Sequence, residues 1–229
     1  MRRGEHGGDW AAYQIQYHGM PLDFSANVSP MGIPAGVKRA LYQAVEEVNR
    51  YPDPLCRQLR ACLGRHHDVS SAQILCGNGA SDLIDRLVLA LRPKRGMVTA
   101  PAFSEYGQAL RRVGCQVEEF PLQRAEDFRM TARILERITP ALDILFLCEP
   151  SNPAGQTTDR ALLEKILERC DACGVLLVVD ECFEEFLLDR SHSMVSNLTG
   201  HHLLILRAFT KFYGLAGVRL GYCLCQEET

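Results

Sequence analysis

Residues 174–181 read Gly-Val-Leu-Leu-Val-Val-Asp-Glu, and this stretch sets the fold class of the chain. Five aliphatic residues in a row, without polar alternation, predict a strand that is covered on both faces of a sheet. Such apolar runs predict strands at residues 96–100, 115–120, 144–148, 175–180 and 203–208. Amphipathic spacing predicts helices at residues 34–48, 55–64, 81–91, 104–113, 131–138 and 159–173. Strands that alternate with helices predict an α/β fold of three layers (αβα) around a mainly parallel sheet.

The composition of the 229-residue chain argues against several kinds of partner. Lys and Arg total 25 and Asp and Glu total 28, so no basic excess exists to bind a nucleic acid. The longest apolar runs, at residues 175–179 and 203–206, are much shorter than a membrane span. The polar start carries no apolar signal segment, which favours a cytoplasmic protein.

Ten cysteines could suggest a disulfide framework, but their placement favours another interpretation. Several lie inside apolar runs, where a free cysteine behaves as a small buried apolar residue. Cys170 and Cys173 form a single C-x-x-C pair, without a second pair at zinc spacing. We therefore expect reduced, structural cysteines rather than a metal or redox site.

The polar and glycine-rich segments follow the predicted strands, at the ends where ligands bind in parallel sheets. One of them, Gly77-Asn78-Gly79-Ala80-Ser81-Asp82, leads into a predicted helix. Small residues and unpaired helix N–H groups can hold a phosphate there, although a plain loop capped by Ser81 has the same pattern. The spacing is that of neither a Walker loop nor a G-x-G-x-x-G dinucleotide site.

Two polar residues at strand ends are candidates for ligand contacts. Asp180 ends an apolar strand, where a carboxylate needs a cation or hydrogen-bond donors, such as a protonated ring nitrogen of a cofactor. A helix cap or an ordinary loop acid would leave the same sequence signature. Asn152 precedes Pro153 and is either a turn residue or a donor to a ligand.

Lys211 is the most informative position in the sequence. It follows a predicted strand and is flanked by Phe209, Thr210, Phe212 and Tyr213. An apolar environment favours the neutral, nucleophilic amine that Schiff-base chemistry requires. Arg219 lies eight residues later in an apolar stretch, where a partly buried guanidinium needs a fixed anion.

These candidates together specify one cofactor. The glycine-rich turn offers a phosphate cradle, and Phe103 offers a ring for stacking. Asp180 suits a pyridinium nitrogen, Lys211 a Schiff base and Arg219 a phosphate. A ligand with all of these features is pyridoxal phosphate.

The same residues lie in motifs that resemble the fold-type-I pyridoxal-phosphate enzymes, the aspartate aminotransferase superfamily. The resemblance extends over essentially the whole chain, and within the superfamily it is to the branch of histidinol-phosphate aminotransferase and L-threonine-O-3-phosphate decarboxylase. The motifs are Asn49-Arg50-Tyr51-Pro52-Asp53, the glycine-rich turn at 77–82, Pro150-Ser151-Asn152-Pro153-Ala154-Gly155 and the segment 210–222 that contains Lys211 and Arg219.

The resemblance implies a role for each matching position. Lys211 would carry the cofactor and Asp180 would pair with its ring nitrogen, as the two catalytic residues. The other cofactor contacts would be Asn152 at the ring hydroxyl, Phe103 stacked on the ring, and Ala80, Ser81, Thr210 and Arg219 at the phosphate. Tyr51 would reach the phosphate in the neighbouring subunit of a homodimer.

Three features favour the decarboxylase over the aminotransferase. The start contains His6-Gly7-Gly8, the segment 22–32 is close to the decarboxylase pattern, and Phe183 stands where aminotransferases commonly have a tyrosine. By the same resemblance, His6, Gly7, Asn27 and Asn152 would contact the substrate, although a His before two glycines is also typical of a mobile tail.

The implied reaction is decarboxylation of L-threonine O-3-phosphate to (R)-1-amino-2-propanol O-phosphate, for adenosylcobalamin biosynthesis. The alternatives are an aminotransferase of histidinol-phosphate type and a non-catalytic remnant that binds the cofactor. The expected organisation is an N-terminal arm and first helix at 1–40 and a cofactor-binding large domain at 41–229. The family's smaller C-terminal domain is expected to be absent from this chain, which leaves the activity of the 229-residue piece open.

Overall fold

In the computed structural model, residues 7–200 and 202–226 are described, with the side chain of Arg190 left out. The helices are α1 (Trp10–Tyr17), α2 (Ala35–Val45), α3 (Arg57–His67), α4 (Ala80–Leu91), α5 (Ser104–Arg112) and α6 (Arg160–Cys173). The strands are β1 (Ile74–Gly77), β2 (Arg95–Ala100), β3 (Gln116–Pro121), β4 (Ile144–Cys148), β5 (Leu176–Asp180), β6 (Leu203–Ala208) and β7 (Gly221–Cys225). Short 3₁₀ turns occupy several of the connections.

The seven strands form one sheet in the order β1-β7-β6-β5-β4-β2-β3. Strands β3, β2, β4, β5 and β6 run parallel to one another. Strand β7 runs antiparallel to both of its neighbours, β6 and β1. The carboxyl ends of β2, β4, β5 and β6 therefore meet at one edge, and the end of β1 and the start of β7 lie at that same edge.

The core lies on both faces of this sheet, as β4 shows. Its five residues are all buried, and successive side chains point to opposite faces. Leu145 and Leu147 pack in a cluster with residues of α3 and α6, whereas Ile144 and Phe146 pack with residues of α4 and α5. The predicted three-layer α/β fold with a mainly parallel sheet is confirmed.

Local sequence signals explain where α6 begins and ends. The side chain of Asp159 accepts a hydrogen bond from the Leu162 backbone N–H at the start of the helix, at 3.2 Å. Gly174 closes the helix in the left-handed conformation, with φ of 68°. Between them, Leu163, Ile166 and Cys170 recur at helical spacing and are buried against the sheet. The helix thereby delivers the chain to β5 and to Asp180 at its end.

The sequence analysis was wrong or incomplete at several elements. The helix predicted at 131–138 is a five-residue 3₁₀ helix at Ala132–Glu136, because Pro140 disfavours helix at the residue before it and the segment is too short to propagate. Helix α1 and strands β1 and β7 were not among the predicted elements. The division into an N-terminal arm with the first helix at 1–40 and a large domain at 41–229 stays a prediction.

The cysteines, candidate metal ligands and helices were expected to show no disulfide framework, metal site or membrane span. The ten cysteines are free, and five of them are buried. Within residues 7–200 and 202–226, no group of His, Cys, Asp or Glu side chains has the arrangement of a metal site. Across the same ranges, no helix has both the length and the apolar character that crossing a bilayer requires.

Candidate active site

A pocket of about 510 Å³ opens at the edge where the parallel strands end. Most residues singled out from the sequence line it: Gly7, Asn27, Ala80, Ser81, Phe103, Asn152, Asp180, Thr210, Lys211 and Arg219. Tyr51 is not among the lining residues and is fully exposed. His6 lies outside the described residues. The fold thus brings residues from the ends of five strands and from the N-terminal segment to one place.

The start of α4 lies on one wall of the pocket and, with Arg219, could serve as an anion cradle. The N-cap of α4 is Gly79, with φ of +90°. Glycine has no side chain to accept a hydrogen bond from the backbone N–H groups of the first turn. A Cβ at Gly79 would lie 2.8 Å from Nη2 of Arg219, which shows how closely the guanidinium approaches this turn. Ser81 lies within the helix, so it is not the cap that the alternative assumed, and phosphate binding at this turn stays a prediction.

Arg219 differs from its expected environment. The sequence predicted a partly buried guanidinium, but the residue is exposed in the structure. Its Nη1 donates to the carbonyl oxygen of Ala216 at 3.1 Å, which leaves other donors facing the cradle. Residues 216–219 form an exposed turn, so the apolar neighbours in the sequence do not cover this side chain.

Asp180 lies on the floor of the pocket and is almost completely buried. Its Oδ2 accepts a hydrogen bond from the hydroxyl of Tyr106 at 2.7 Å, and its Oδ1 accepts one from the backbone N–H of Cys182 at 3.0 Å. Each carboxylate oxygen can accept a second hydrogen bond. The carboxylate is therefore oriented by two donors and retains acceptor capacity toward the pocket.

Tyr106 is a site residue that sequence reasoning missed. It is fully buried, stacked on Phe146 with ring centroids 5.2 Å apart, and edge-on to Phe103 at 5.6 Å. Burial, with Asp180 close by, raises the pKa of its phenol well above the ordinary value, so the hydroxyl stays a donor. Tyr106 lies in the first turn of α5, three residues after Phe103, and this nearness to a predicted site residue was its signal in the sequence.

Lys211 follows β6 and its side chain is half-buried in the pocket wall. Its Nζ lies 5.6 Å from the centroid of the Phe183 ring, and its carbonyl oxygen accepts a hydrogen bond from the Ser29 backbone N–H at 2.9 Å. Phe212 and Tyr213 pack edge-to-face beside it. The N-terminal segment therefore holds the backbone of this lysine, while the Phe183 ring lies near its amine.

Asn152 sits on a tight loop that follows β4. The loop is closed by hydrogen bonds from the Ser151 N–H to the Gln156 carbonyl at 2.8 Å and from the Gly155 N–H to the Ser151 carbonyl at 2.7 Å. The side-chain amide of Asn27 donates to Oδ1 of Asn152 at 3.1 Å. This contact leaves the amide N–H groups of Asn152 to serve as donors in the pocket.

A buried charged cluster lies next to these residues and was also missed. Arg207 donates through Nη2 to Glu181 at 2.6 Å and through Nη1 to Glu184 at 2.7 Å and Glu185 at 3.3 Å. Glu181 also accepts the backbone N–H of Met194 at 2.6 Å. Desolvation raises the pKa of Glu181 and of Glu185, against the opposing effect of the guanidinium. The cluster fastens the segment after Asp180 to the strand that precedes Lys211.

A three-layer α/β domain with a lysine, a carboxylate and an amide on adjacent strand ends is the large domain of a fold-type-I pyridoxal-phosphate enzyme. The sequence model of the class I and II aminotransferases matches residues 20–229. The chain belongs to this family.

Similar proteins include both enzymes of the branch inferred from the sequence. The chain is 41% identical over 207 residues to a threonine-phosphate decarboxylase of Salmonella typhimurium, covering 90% of this chain and 57% of that protein. It is 32% identical over 211 residues to the histidinol-phosphate aminotransferase of Bacillus subtilis, covering 90% and 58%. The chain thus spans less than two thirds of the length of the curated relatives it matches.

The solved structures show the same relationship. The histidinol-phosphate aminotransferase of Sinorhizobium meliloti, determined in complex with pyridoxal 5'-phosphate, superposes with a TM-score of 0.85 at 26% identity, covering 97% of this chain and 61% of that one. The L-threonine-O-3-phosphate decarboxylase of Porphyromonas gingivalis superposes with a TM-score of 0.77 at 23% identity and supports the fold alone.

The residues present fit the cofactor of this family. The pocket volume is within the range of small-molecule sites, which is roughly 300–1,000 Å³. A desolvated carboxylate with spare acceptor capacity matches a protonated ring nitrogen, and the cradle of α4 and Arg219 matches a phosphate. Lys211 lies in the wall of the same pocket. The donor set is therefore compatible with pyridoxal phosphate.

Proposed function

We propose that this chain carries the cofactor-binding part of a pyridoxal-phosphate-dependent decarboxylase of L-threonine O-3-phosphate. The product would be (R)-1-amino-2-propanol O-phosphate, a precursor for adenosylcobalamin. The observation that carries the proposal is the single pocket that collects Lys211, Asp180, Asn152 and the α4 cradle. The 41% identity to a threonine-phosphate decarboxylase supports the choice of reaction within the family.

The cofactor supplies an electron sink for the electron pair that is released when a bond at the substrate Cα breaks. Lys211 would hold the cofactor covalently and, once displaced by the substrate amine, would return a proton to Cα. Asp180 would keep a proton on the ring nitrogen, and Tyr106 would orient Asp180. Asn152 would donate to the ring hydroxyl.

The remaining contacts would bind the two phosphates and exclude water. The first-turn N–H groups of α4, at Ala80 and Ser81, would hold the cofactor phosphate together with Thr210 and Arg219. Phe103 would cover the ring face. Gly7, Asn27 and Asn152 would contact the phosphorylated substrate, together with His6.

A second candidate is an aminotransferase of histidinol-phosphate type, which the Bacillus relative supports. The two reactions differ in which Cα bond stands perpendicular to the cofactor ring, so the substrate contacts choose between them. Phe183, which lines the pocket, offers no hydroxyl to the ring and favours the decarboxylase. A third candidate is a chain that binds the cofactor without turnover.

A single assay separates these candidates. The chain is incubated with pyridoxal phosphate and L-threonine O-3-phosphate, with and without an oxo-acid acceptor. Carbon dioxide release that is independent of the acceptor supports the decarboxylase, and turnover that requires the acceptor contradicts it. Tight cofactor binding without turnover in either condition would favour the third candidate.

The covalent attachment can be mapped directly, because the chain has four lysines: Lys38, Lys94, Lys165 and Lys211. After borohydride reduction, the cofactor mass is expected on the peptide that contains Lys211. Lys211→Ala should abolish the adduct, whereas Lys165→Ala, an exposed lysine on α6, should retain it. An adduct that persists in Lys211→Ala would contradict the assignment.

We also propose that the chain acts as a homodimer in which Tyr51 reaches the neighbouring pocket. Tyr51 is fully exposed and does not line the pocket of its own chain. The N-terminal part of the chain also exposes large apolar side chains, including Leu22, Phe24 and Met31. Such a surface is typical of an interface between protein chains.

A further inference from the structure

Glu149 is a buried carboxyl to which neither the sequence analysis nor the proposed reaction assigns a role. It directly follows β4 and is 2% exposed. Its Oε1 accepts a hydrogen bond from the backbone N–H of Thr158 at 2.8 Å. Its own backbone N–H donates to the carbonyl of Asp180 at 2.9 Å. The residue therefore connects the floor of the pocket with the far end of the loop at 150–157.

That loop carries Asn152 into the pocket. Its start follows β4 directly, and its end meets the Glu149 carboxyl through Thr158, which is itself buried. Asn152 also receives the hydrogen bond from Asn27, so a shift of the loop would move both contacts. Release of Thr158 from the Glu149 carboxyl would therefore free one end of the loop that carries Asn152.

The surroundings of Glu149 disfavour its charged form. A cavity of about 10 Å³ lies beside it, and among the described residues that line this cavity Glu149 is the only charged one. Glu181 faces it from the end of β5 and is itself ion-paired with Arg207. Desolvation, assisted by Glu181 and opposed by the Thr158 hydrogen bonds, raises the pKa of Glu149 to about 7.

We propose that Glu149 is a positioning residue whose neutral carboxyl holds the loop at 150–157 in place, and with it Asn152, and whose ionisation releases the loop. The proposal rests on the proposed function only for the role of Asn152 at the cofactor. The neutral acid keeps a carbonyl oxygen that accepts from Thr158 without placing a charge in a desolvated site.

The direction of the pH effect follows from proton linkage. With the loop in place, Glu149 is buried and binds its proton up to about pH 7, whereas in an open loop it is hydrated and loses the proton near its ordinary value of 4.5. A group whose pKa is raised in the closed state stabilises that state fully at low pH. The stabilisation is then lost progressively as the pH rises from about 4.5 to about 7.

The decisive test is amide hydrogen exchange of Thr158 in the chain without cofactor, corrected for the intrinsic pH dependence of exchange. In the wild type, protection of this amide should fall with pH between 5 and 7, by up to about tenfold per unit. Glu149→Gln keeps the acceptor without a charge, so its protection should be independent of pH and exceed that of the wild type at pH 8. Glu149→Ala should lose protection at every pH, by roughly tenfold or more.

Glu119→Gln, the same change at an exposed position on β3, is the control and should behave as the wild type does. The proposal is overturned if Glu149→Gln loses protection as Glu149→Ala does, or if it retains the pH dependence of the wild type. If the alanine chain fails to fold, the glutamine chain alone decides between these outcomes.

Cofactor affinity tests the link to Asn152 separately. The ratio of the pyridoxal phosphate Kd of the wild type to that of Glu149→Gln should rise severalfold from pH 6 to pH 8. A constant ratio overturns the positioning role. If neither chain binds the cofactor, the proposed function is contradicted. The exchange experiment would still test whether Glu149 holds the loop at 150–157.

Discussion

In the part of the chain that the structure describes, helices α1 and α2 bury no residue, whereas strand β4 buries all five of its residues. Both regions are rich in apolar side chains, so hydrophobicity alone does not explain the difference. The strand lies between two helical layers, whereas residues 9–55 lie on the outside and present Leu22 and Phe24 at 85% and 88% exposure.

The contacts between the two regions occur at the pocket. Ser29 donates to the Lys211 carbonyl, and Asn27 donates to Asn152. Gly32 lies so close to Gly214 that a Cβ at position 214 would approach its backbone to 3.1 Å. The sheet therefore provides stability within one chain, whereas the N-terminal segment contacts the pocket, and we propose that its exposed apolar side chains pack against a second copy.

The largest expected effect comes from removing charge in the buried region. Arg207→Met leaves Glu181, Glu184 and Glu185 without their guanidinium, and breaking a buried ion pair typically costs about 3–5 kcal/mol. Urea unfolding at pH 7.5 measures the loss. Arg50→Met removes an exposed pair with Glu47 at 3.7 Å in the outer region and should change the free energy of unfolding by about 0.5 kcal/mol or less. If both variants lost the same free energy of unfolding, the ion pairs of the buried and the outer region would not differ in their contribution to stability.

An intermediate effect is expected at the hydroxyl of Tyr106. Tyr106→Phe deletes the hydrogen bond to the Asp180 carboxylate, which should lower the free energy of unfolding by about 1.5–3 kcal/mol, since the acceptor is charged and buried. Tyr42→Phe on α2, an exposed tyrosine, is the matched control and should be nearly neutral. Chemical denaturation measures the free energy of unfolding of both variants. If the free energy of Tyr106→Phe is unchanged, the hydrogen bond from Tyr106 to Asp180 does not stabilise the fold.

The smallest effect on stability, but a clear one on assembly, is expected in the outer region. Leu22→Ser with Phe24→Ser changes two exposed side chains, so the unfolding free energy of a single copy should shift by about 0.5 kcal/mol or less. Sedimentation equilibrium should nevertheless show weaker self-association, because the apolar surface offered to a partner is smaller. Unchanged association would contradict the placement of Leu22 and Phe24 at the homodimer interface.

The sequence predicted the elements whose signal is local. Strands β4 and β5 correspond to uninterrupted apolar runs in the sequence, and Lys211 is flanked there by aromatic residues. Strand β1 has four residues and pairs with β7, which is far away in the sequence. The residues next to β1 in the sequence therefore contain little signal for a strand. The hydrogen bonds of Tyr106 and Glu149 were missed for a related reason, because their partners, Asp180 and Thr158, are chosen by the tertiary fold.

The position of β7 between β1 and β6 has a consequence for how the protein is made. Strand β1 lies at the sheet edge and pairs with β7, which emerges from the ribosome about 140 residues later. At roughly 5–20 residues per second, translation leaves β1 waiting for about 7–30 seconds. During that interval the backbone edge of β1 that pairs with β7 in the finished fold has no partner strand. An unpaired strand edge favours aggregation, so the nascent chain carries this hazard until residues 221–225 have been synthesised.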